Sequence, residues 1–166
     1  MAGRAPAPRR ALLDRSAHYA VVAARFNEPI SRRLVDGARH AFAAAKVAED
    51  HVEVHWVPGS FELPQAAMHL AATGRYAGIV CVGVVIRGQT PHFEHVAREA
   101  ASGIRHVALT TGVPTGFGVI TTHDEEQAWA RAGGAVGNRG EEAAAAVIEM
   151  AAFVQQVRQS PPKRRR

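Results

Sequence analysis

Residues 76–86 read YAGIVCVGVVI, an apolar run of eleven residues rich in β-branched side chains, and this run constrains the fold more than any other stretch. Its length and composition predict a strand buried on both faces, as in a parallel sheet covered by helices. Arg87 ends the run well short of the roughly 20 apolar residues that a membrane-spanning helix needs. The chain then passes through R-G-Q-T-P-H within six residues, an abrupt change from apolar strand to polar, glycine-containing turn.

Strand and helix signals alternate around this run. HYAVVAA (18–24) predicts a strand, and 28–46 carries Ile30, Leu34, Ala38, Phe42 and Ala45 at helical spacing. HVEVHWV (51–57) alternates as a half-buried strand does, and PGSFELP separates it from a helix over about 65–73. After strand 76–86 the pattern predicts a helix from about 91 to Gly103, a strand HVALTT (106–111) and another strand FGVITT (117–122). THDEEQAWARAG has acids in the first turn and Gly133 at its end, the polarity of a helix. A final alanine-rich helix over about 140–158 is apolar around much of its circumference, which points to a second buried face and a subunit partner.

Such alternation predicts an α/β protein: a three-layer α/β/α sandwich around a central parallel sheet. A length of 166 residues suits one domain, placed at 16–158. The tails, 1–15 and 159–166, read as disordered and basic. The chain has a sequence pI near 10.3, but seven of its 20 Lys and Arg lie in residues 1–10 and 163–166. Residues 11–158 keep 13 basic against 15 acidic residues, a net of −2. The body is therefore not a nucleic-acid-binding surface, and only the tails would attract polyanions. Cys81 is the sole cysteine, which rules out an internal disulfide and favours a reducing, cytoplasmic compartment.

In open α/β sheets, ligands bind outside the carboxyl ends of the strands. Three such ends are unusual here: ARFN (24–27), VPGSFELP (57–64) and VIRGQTPHF (85–93). Gly83–Thr90 imitates a P-loop, but Gln89 stands where the lysine belongs and three β-branched residues fill the loop, so an NTPase is rejected. Thr90 as N-cap and Pro91 at the first helical position would instead aim N–H groups near Gln89 at an anion. His92 follows in the first turn. There the positive helix end and a bound phosphate would act on its ring in opposite senses, which suits a group that takes and gives protons. His92 and His95 lack a third evident metal ligand. Glu62 either favours a helix start or accepts bonds from ligand hydroxyls. Phe26 either stacks on a planar ring or plugs the sheet end. Arg131 and Arg139, which bracket AGGAVGN, are solvated arginines or parts of a phosphate clamp.

Taken together, ARFN, VPGSFELP, GVVIRGQTPHFEHV, TGVPTGFGVITT, EQAWARAG and GNRGEEAA resemble the lumazine synthase family, in order and approximate spacing, over roughly residues 17–157. The resemblance implies a flavodoxin-like fold assembled from pentamers, and a transferase of riboflavin biosynthesis without metal or organic cofactor. It implies that 5-amino-6-(D-ribitylamino)uracil condenses with 3,4-dihydroxy-2-butanone 4-phosphate to 6,7-dimethyl-8-ribityllumazine, with loss of phosphate and water. By the same resemblance, Phe26 stacks on the pyrimidine. Ser60 and Glu62 hold the ribityl chain, with Asn27, Gly59 and Phe61 shaping that wall. Backbone groups of Val85 and Ile86 read the pyrimidine edge. Gln89, Thr90 and Arg131 hold the phosphate, Phe117 closes the pocket from a neighbouring subunit, and His92 carries the proton. Arg139 departs from the family's usual lysine, which exchanges a compact ammonium for a planar fork. A non-catalytic lumazine- or flavin-binding relative and a shell-forming assembly are the alternatives.

Overall fold

The computed structural model describes Asp14 and residues 16–160. The basic tails assigned from the sequence therefore lie mostly outside the described residues. The elements are β1 (His18–Ala24), α1 (Glu28–Ala44), β2 (Val52–Val57), α2 (Leu63–Ala72), β3 (Tyr76–Ile86), α3 (His92–Thr111), β4 (Thr115–Thr122), α4 (Glu125–Arg131), β5 (Ala132–Gly134), β6 (Gly137–Asn138) and α5 (Arg139–Gln159). Short 3₁₀ turns precede β2 and α2, at Glu49–His51 and Ser60–Glu62.

β1 to β4 form one parallel sheet in the order β2-β1-β3-β4. Side chains alternate across it. Val21, Val80, Val82 and Val84 face α1 and α5, where Leu34, Phe42 and Val147 complete one core layer. Ala20, Val22, Ile79 and Cys81 face α2 and α3, against Leu63, Ala67, Ile104 and Val107. This is the expected three-layer α/β/α sandwich with a flavodoxin-like parallel sheet. Each fully buried aliphatic side chain contributes about 1.5–3 kcal/mol, and β3 is buried on both faces, as its composition demanded. Burial pushes the Cys81 thiol up to about 12, so it acts as a small core side chain.

The expected strand at 106–111 is absent. HVALTT is not a strand, and Gly103 does not end a helix. A single helix, α3, runs for 20 residues from His92 to Thr111. Its buried residues Ala100, Ile104 and Val107 keep the three-to-four-residue spacing across Gly103. The glycine is a spacer: a Cβ there would stand 2.6 Å from the Pro64 ring of α2. The β-branched Thr111 is accommodated by its hydroxyl, which donates to Val107 O at 2.7 Å. The helix stops at Gly112, which adopts φ 72° and so provides the left-handed cap.

Among the described residues no helix is long and apolar enough to cross a membrane.

Candidate active site

The sheet order places β1 between β2 and β3, so the three unusual strand ends are immediate neighbours. Past Ala24 the ladder continues: Arg25 N–H donates to Val57 O at 2.8 Å and Phe26 N–H to Pro58 O at 3.0 Å. Asn27 then turns the chain into α1 with φ 59° and ψ 42°. Asparagine tolerates this left-handed conformation better than most residues. Its Nδ2 reaches back to Val84 O at 3.3 Å. Phe26 does not plug the sheet end; it is 72% exposed.

Beyond β2, Gly59 is extended and Ser60–Glu62 form a 3₁₀ turn that leads into α2. Phe61 projects outward, 59% exposed. The Glu62 carboxylate folds over Gly59, 3.1 Å from where a Cβ on that glycine would stand. Ser60 is only 4% exposed, and its Oγ has no hydrogen-bond partner among the described residues. A buried hydroxyl left unpaired costs about 1–3 kcal/mol, a cost Ser60 shares with Ser31 of α1.

β3 outruns β1. The last pair in their ladder is Ala23 with Val82, whereas β3 continues to Ile86. Val84 directs its carbonyl to the β1 side, toward Asn27. By the two-residue period of a strand, Ile86 directs its N–H and C=O to that side as well, past the point where β1 has turned away. Val85 faces β4 instead and is buried. Arg87 N–H donates to Thr122 O at 2.8 Å, pinning the strand end to β4.

Arg87, Gly88, Gln89, Thr90, Pro91, Phe93 and Glu94 line a depression of about 120 Å³ at the start of α3. Pro91, not Thr90, is the N-cap, and no side chain caps the helix. Thr90 is displaced because Pro91 begins a tight turn in which Glu94 N–H donates to Pro91 O at 2.9 Å. Apart from Glu94 N–H, the N–H groups of the first turn lack intrahelical acceptors and lie at the positive end of the helix, so the depression favours an anion. His92 is the first helical residue and is exposed. His95, one turn on, has its Nδ1 3.0 Å from the Arg98 guanidinium.

Three expected residues stand apart from this group. Phe117 pairs with Cys81, five residues before β4 ends at Thr122. That is roughly 16 Å short of the carboxyl end at the usual strand rise, and the ring is 48% exposed on the edge strand. Arg131 closes α4 with its guanidinium donating to Gln127 O at 3.0 Å. Arg139 opens α5 paired with Glu142. AGGAVGN, unassigned from the sequence, forms the antiparallel β5–β6 hairpin. Because Ala132 pairs with Asn138, the backbones of Arg131 and Arg139 leave its open end side by side.

Sequence reasoning missed Gly83, against which Ser60 Oγ rests. A glycine inside a strand is the available signal for such a close approach. A larger cavity of about 300 Å³ lies at the other end of the sheet, between Tyr19, Ala77 and the last turns of α5. Among the described residues no group of three or more His, Cys, Asp or Glu side chains is gathered to hold a metal ion.

The protein is of the open parallel α/β class, with an exposed aromatic ring, a carboxylate and a helix start at adjacent strand ends, where such sheets take small molecules. The family model for 6,7-dimethyl-8-ribityllumazine synthase matches residues 16–155. The chain belongs to that family, whose members serve riboflavin biosynthesis.

Proposed function

We propose that this protein condenses 5-amino-6-(D-ribitylamino)uracil with 3,4-dihydroxy-2-butanone 4-phosphate to give 6,7-dimethyl-8-ribityllumazine, inorganic phosphate and water. The observation that carries the reading is the convergence of Phe26, Glu62, Ile86 and the start of α3 at three neighbouring strand ends. Phe26 presents a face for the pyrimidine, and the Ile86 N–H and C=O read its edge, beside Val85. The wall formed by Asn27, Gly59, Ser60, Phe61 and Glu62 takes the ribityl hydroxyls. Backbone groups of Gln89 and Thr90, with the positive end of α3, take the phosphate.

The amine of the pyrimidine attacks the ketone, and loss of water gives an imine. Phosphate then leaves, and the second nitrogen closes the ring on the remaining carbonyl with loss of a further water. No nucleophile from the protein is required. Holding two reactants in register contributes up to about 7–11 kcal/mol of barrier reduction. A general acid–base group contributes about 10²–10⁴-fold, or roughly 3–5 kcal/mol. Orientation is thus the larger share, and His92 is the proton carrier.

The site is completed by a second chain. Phe117 is too far down β4 to reach the Phe26 pocket of its own chain, so it closes the pocket of a neighbour in a pentamer. Arg131 and Arg139 leave the hairpin together and complete the phosphate clamp. Arg139, already paired with Glu142, acts there through its charge. The exposed stripe of Met150, Phe153 and Val157 on α5 suits burial between subunits.

The test is direct: purified protein is mixed with both substrates, and lumazine fluorescence and phosphate release are followed together. Equimolar appearance of the two supports the reading. Binding of the ribityl compound without release of phosphate identifies a non-catalytic relative instead.

A further inference from the structure

Gly83 lies inside β3, where every flanking residue is larger and most are β-branched. Its φ is not positive, unlike those of Gly74, Gly112, Gly133 and Gly137, so backbone conformation does not demand a glycine here. Space does. A Cβ on Gly83 would stand 2.5 Å from Ser60 Oγ and 3.3 Å from both Ala24 Cβ and Leu63 Cδ1. The hydroxymethyl group of Ser60 therefore occupies a notch in the strand, walled by Ala24 and Leu63. It makes no hydrogen bond there among the described residues, so packing alone seats it.

We propose that Gly83 is a positioning residue for the ribityl-binding wall. Its missing side chain lets Ser60 dock onto β3, and this contact sets where Glu62, two residues on, stands relative to the pyrimidine-reading edge at Ile86. Gly83 and Ile86 share one strand, three residues or roughly 10 Å apart. Seating the Ser60–Glu62 turn on Gly83 therefore places the hydroxyl-binding wall and the ring-reading edge in one rigid frame. The backbone bonds from Arg25 and Phe26 hold Val57 and Pro58, upstream of this turn, and the bond from Glu62 N–H to Gly59 O at 3.3 Å lies wholly within it. The phosphate cradle at Gln89 and Thr90 lies outside this contact. The inference rests on the reaction proposed above and names what aligns one of its two substrates.

The experiment compares steady-state kinetics of the wild type, Gly83→Ala, Ser60→Gly and the double variant Ser60→Gly/Gly83→Ala, each varied in both substrates. Gly83→Ala is expected to raise KM for the ribitylamino substrate by roughly ten- to a hundredfold, the scale of an ångström-sized misplacement. KM for the phosphate substrate should stay within about twofold. Ser60→Gly empties the notch and is expected to act in the same direction. In the double variant the new methyl fills the notch from the strand side and should recover a large part of the loss. A parallel rise of both KM values, unchanged kinetics in Gly83→Ala, or a double variant no better than Ser60→Gly would overturn the proposal. Should Gly83→Ala fail to fold, the comparison of Ser60→Gly with the double variant decides alone. A wild type that produces no lumazine removes the functional reading itself, and the role of Gly83 with it, which is a different result from altered variants of an active enzyme.

Discussion

Asn27 Nδ2 donates to Val84 O at 3.3 Å, across 57 residues of sequence, while its own backbone is left-handed at φ 59°. One residue thus turns β1 into α1 and caps the last β1-facing carbonyl before Ile86. The two roles separate by mutation. Asn27→Gly keeps the turn and loses the bond; Asn27→Ala loses both, with about 1–2 kcal/mol of left-handed strain added. We expect Asn27→Ala to unfold at lower urea than Asn27→Gly, and both to raise KM for the pyrimidine substrate several-fold. An alanine variant as stable as the glycine variant would contradict the backbone role.

His92→Ala should lower turnover by roughly ten- to a few-hundred-fold and leave measurable activity, because orientation supplies more of the acceleration than proton transfer does. Single-turnover lumazine formation in the assembled variant checks this. Complete loss of activity would contradict the division between positioning and proton transfer.

Arg131→Ala should chiefly weaken binding of the phosphate substrate. The Arg131 backbone and that of Arg139 leave the open end of the β5–β6 hairpin side by side. Varying the butanone phosphate at saturating pyrimidine measures the effect, expected at about tenfold or more in KM, as for a lost charge-assisted hydrogen bond. An unchanged KM for that substrate would remove Arg131 from the clamp.

Much of the fold could be read from residue pattern alone. β1 and β3 begin and end at the residues their apolar runs mark, and β2, α1, α2 and α5 differ from expectation by a residue or two. The failure at 103–111 has a definite cause. Gly103 and the β-branched end of α3 carry local signals against helix, and these are overruled by tertiary contacts with Pro64 and the sheet that no local pattern displays. Of the candidate site, the three strand ends were legible, because they lie side by side in the sheet. Residues at strand ends declare themselves by an abrupt change of character, whereas Gly83 is hidden inside an apolar run. The side-by-side exit of the Arg131 and Arg139 backbones depends on a hairpin of five strand residues, too short for periodicity to reveal.

Acid and alkaline limits of stability should both depend on Tyr76. Its hydroxyl donates to Glu53 Oε2 at 2.6 Å, and Arg75 lies 2.6 Å from Oε1. The Tyr76 hydrogen bond, aided by Arg75, holds the Glu53 carboxyl below its ordinary value against the opposing effect of burial. Its contribution is complete above the unfolded-chain value of about 4.3 and is lost as pH falls through the lower folded value. Burial, then the bond to Glu53, pushes the Tyr76 phenol up. That contribution is complete below about 10 and is lost as pH rises through the raised value. Tyr76→Phe should flatten both limbs of a plot of urea midpoint against pH. Curves that run parallel to the wild type would refute the linkage.

The central claim is that a single pocket at the carboxyl ends of β2, β1 and β3 holds both reactants. A crystal structure with an unreactive ribityl-pyrimidine mimic and inorganic phosphate tests it most directly. We predict the pyrimidine stacked on Phe26 with its edge at the Ile86 backbone, the ribityl chain at Glu62, and phosphate within hydrogen-bonding distance of Gln89 and Thr90 N–H. A mimic bound instead in the cavity beside Tyr19 and α5, with Phe26 and His92 untouched, would contradict the account.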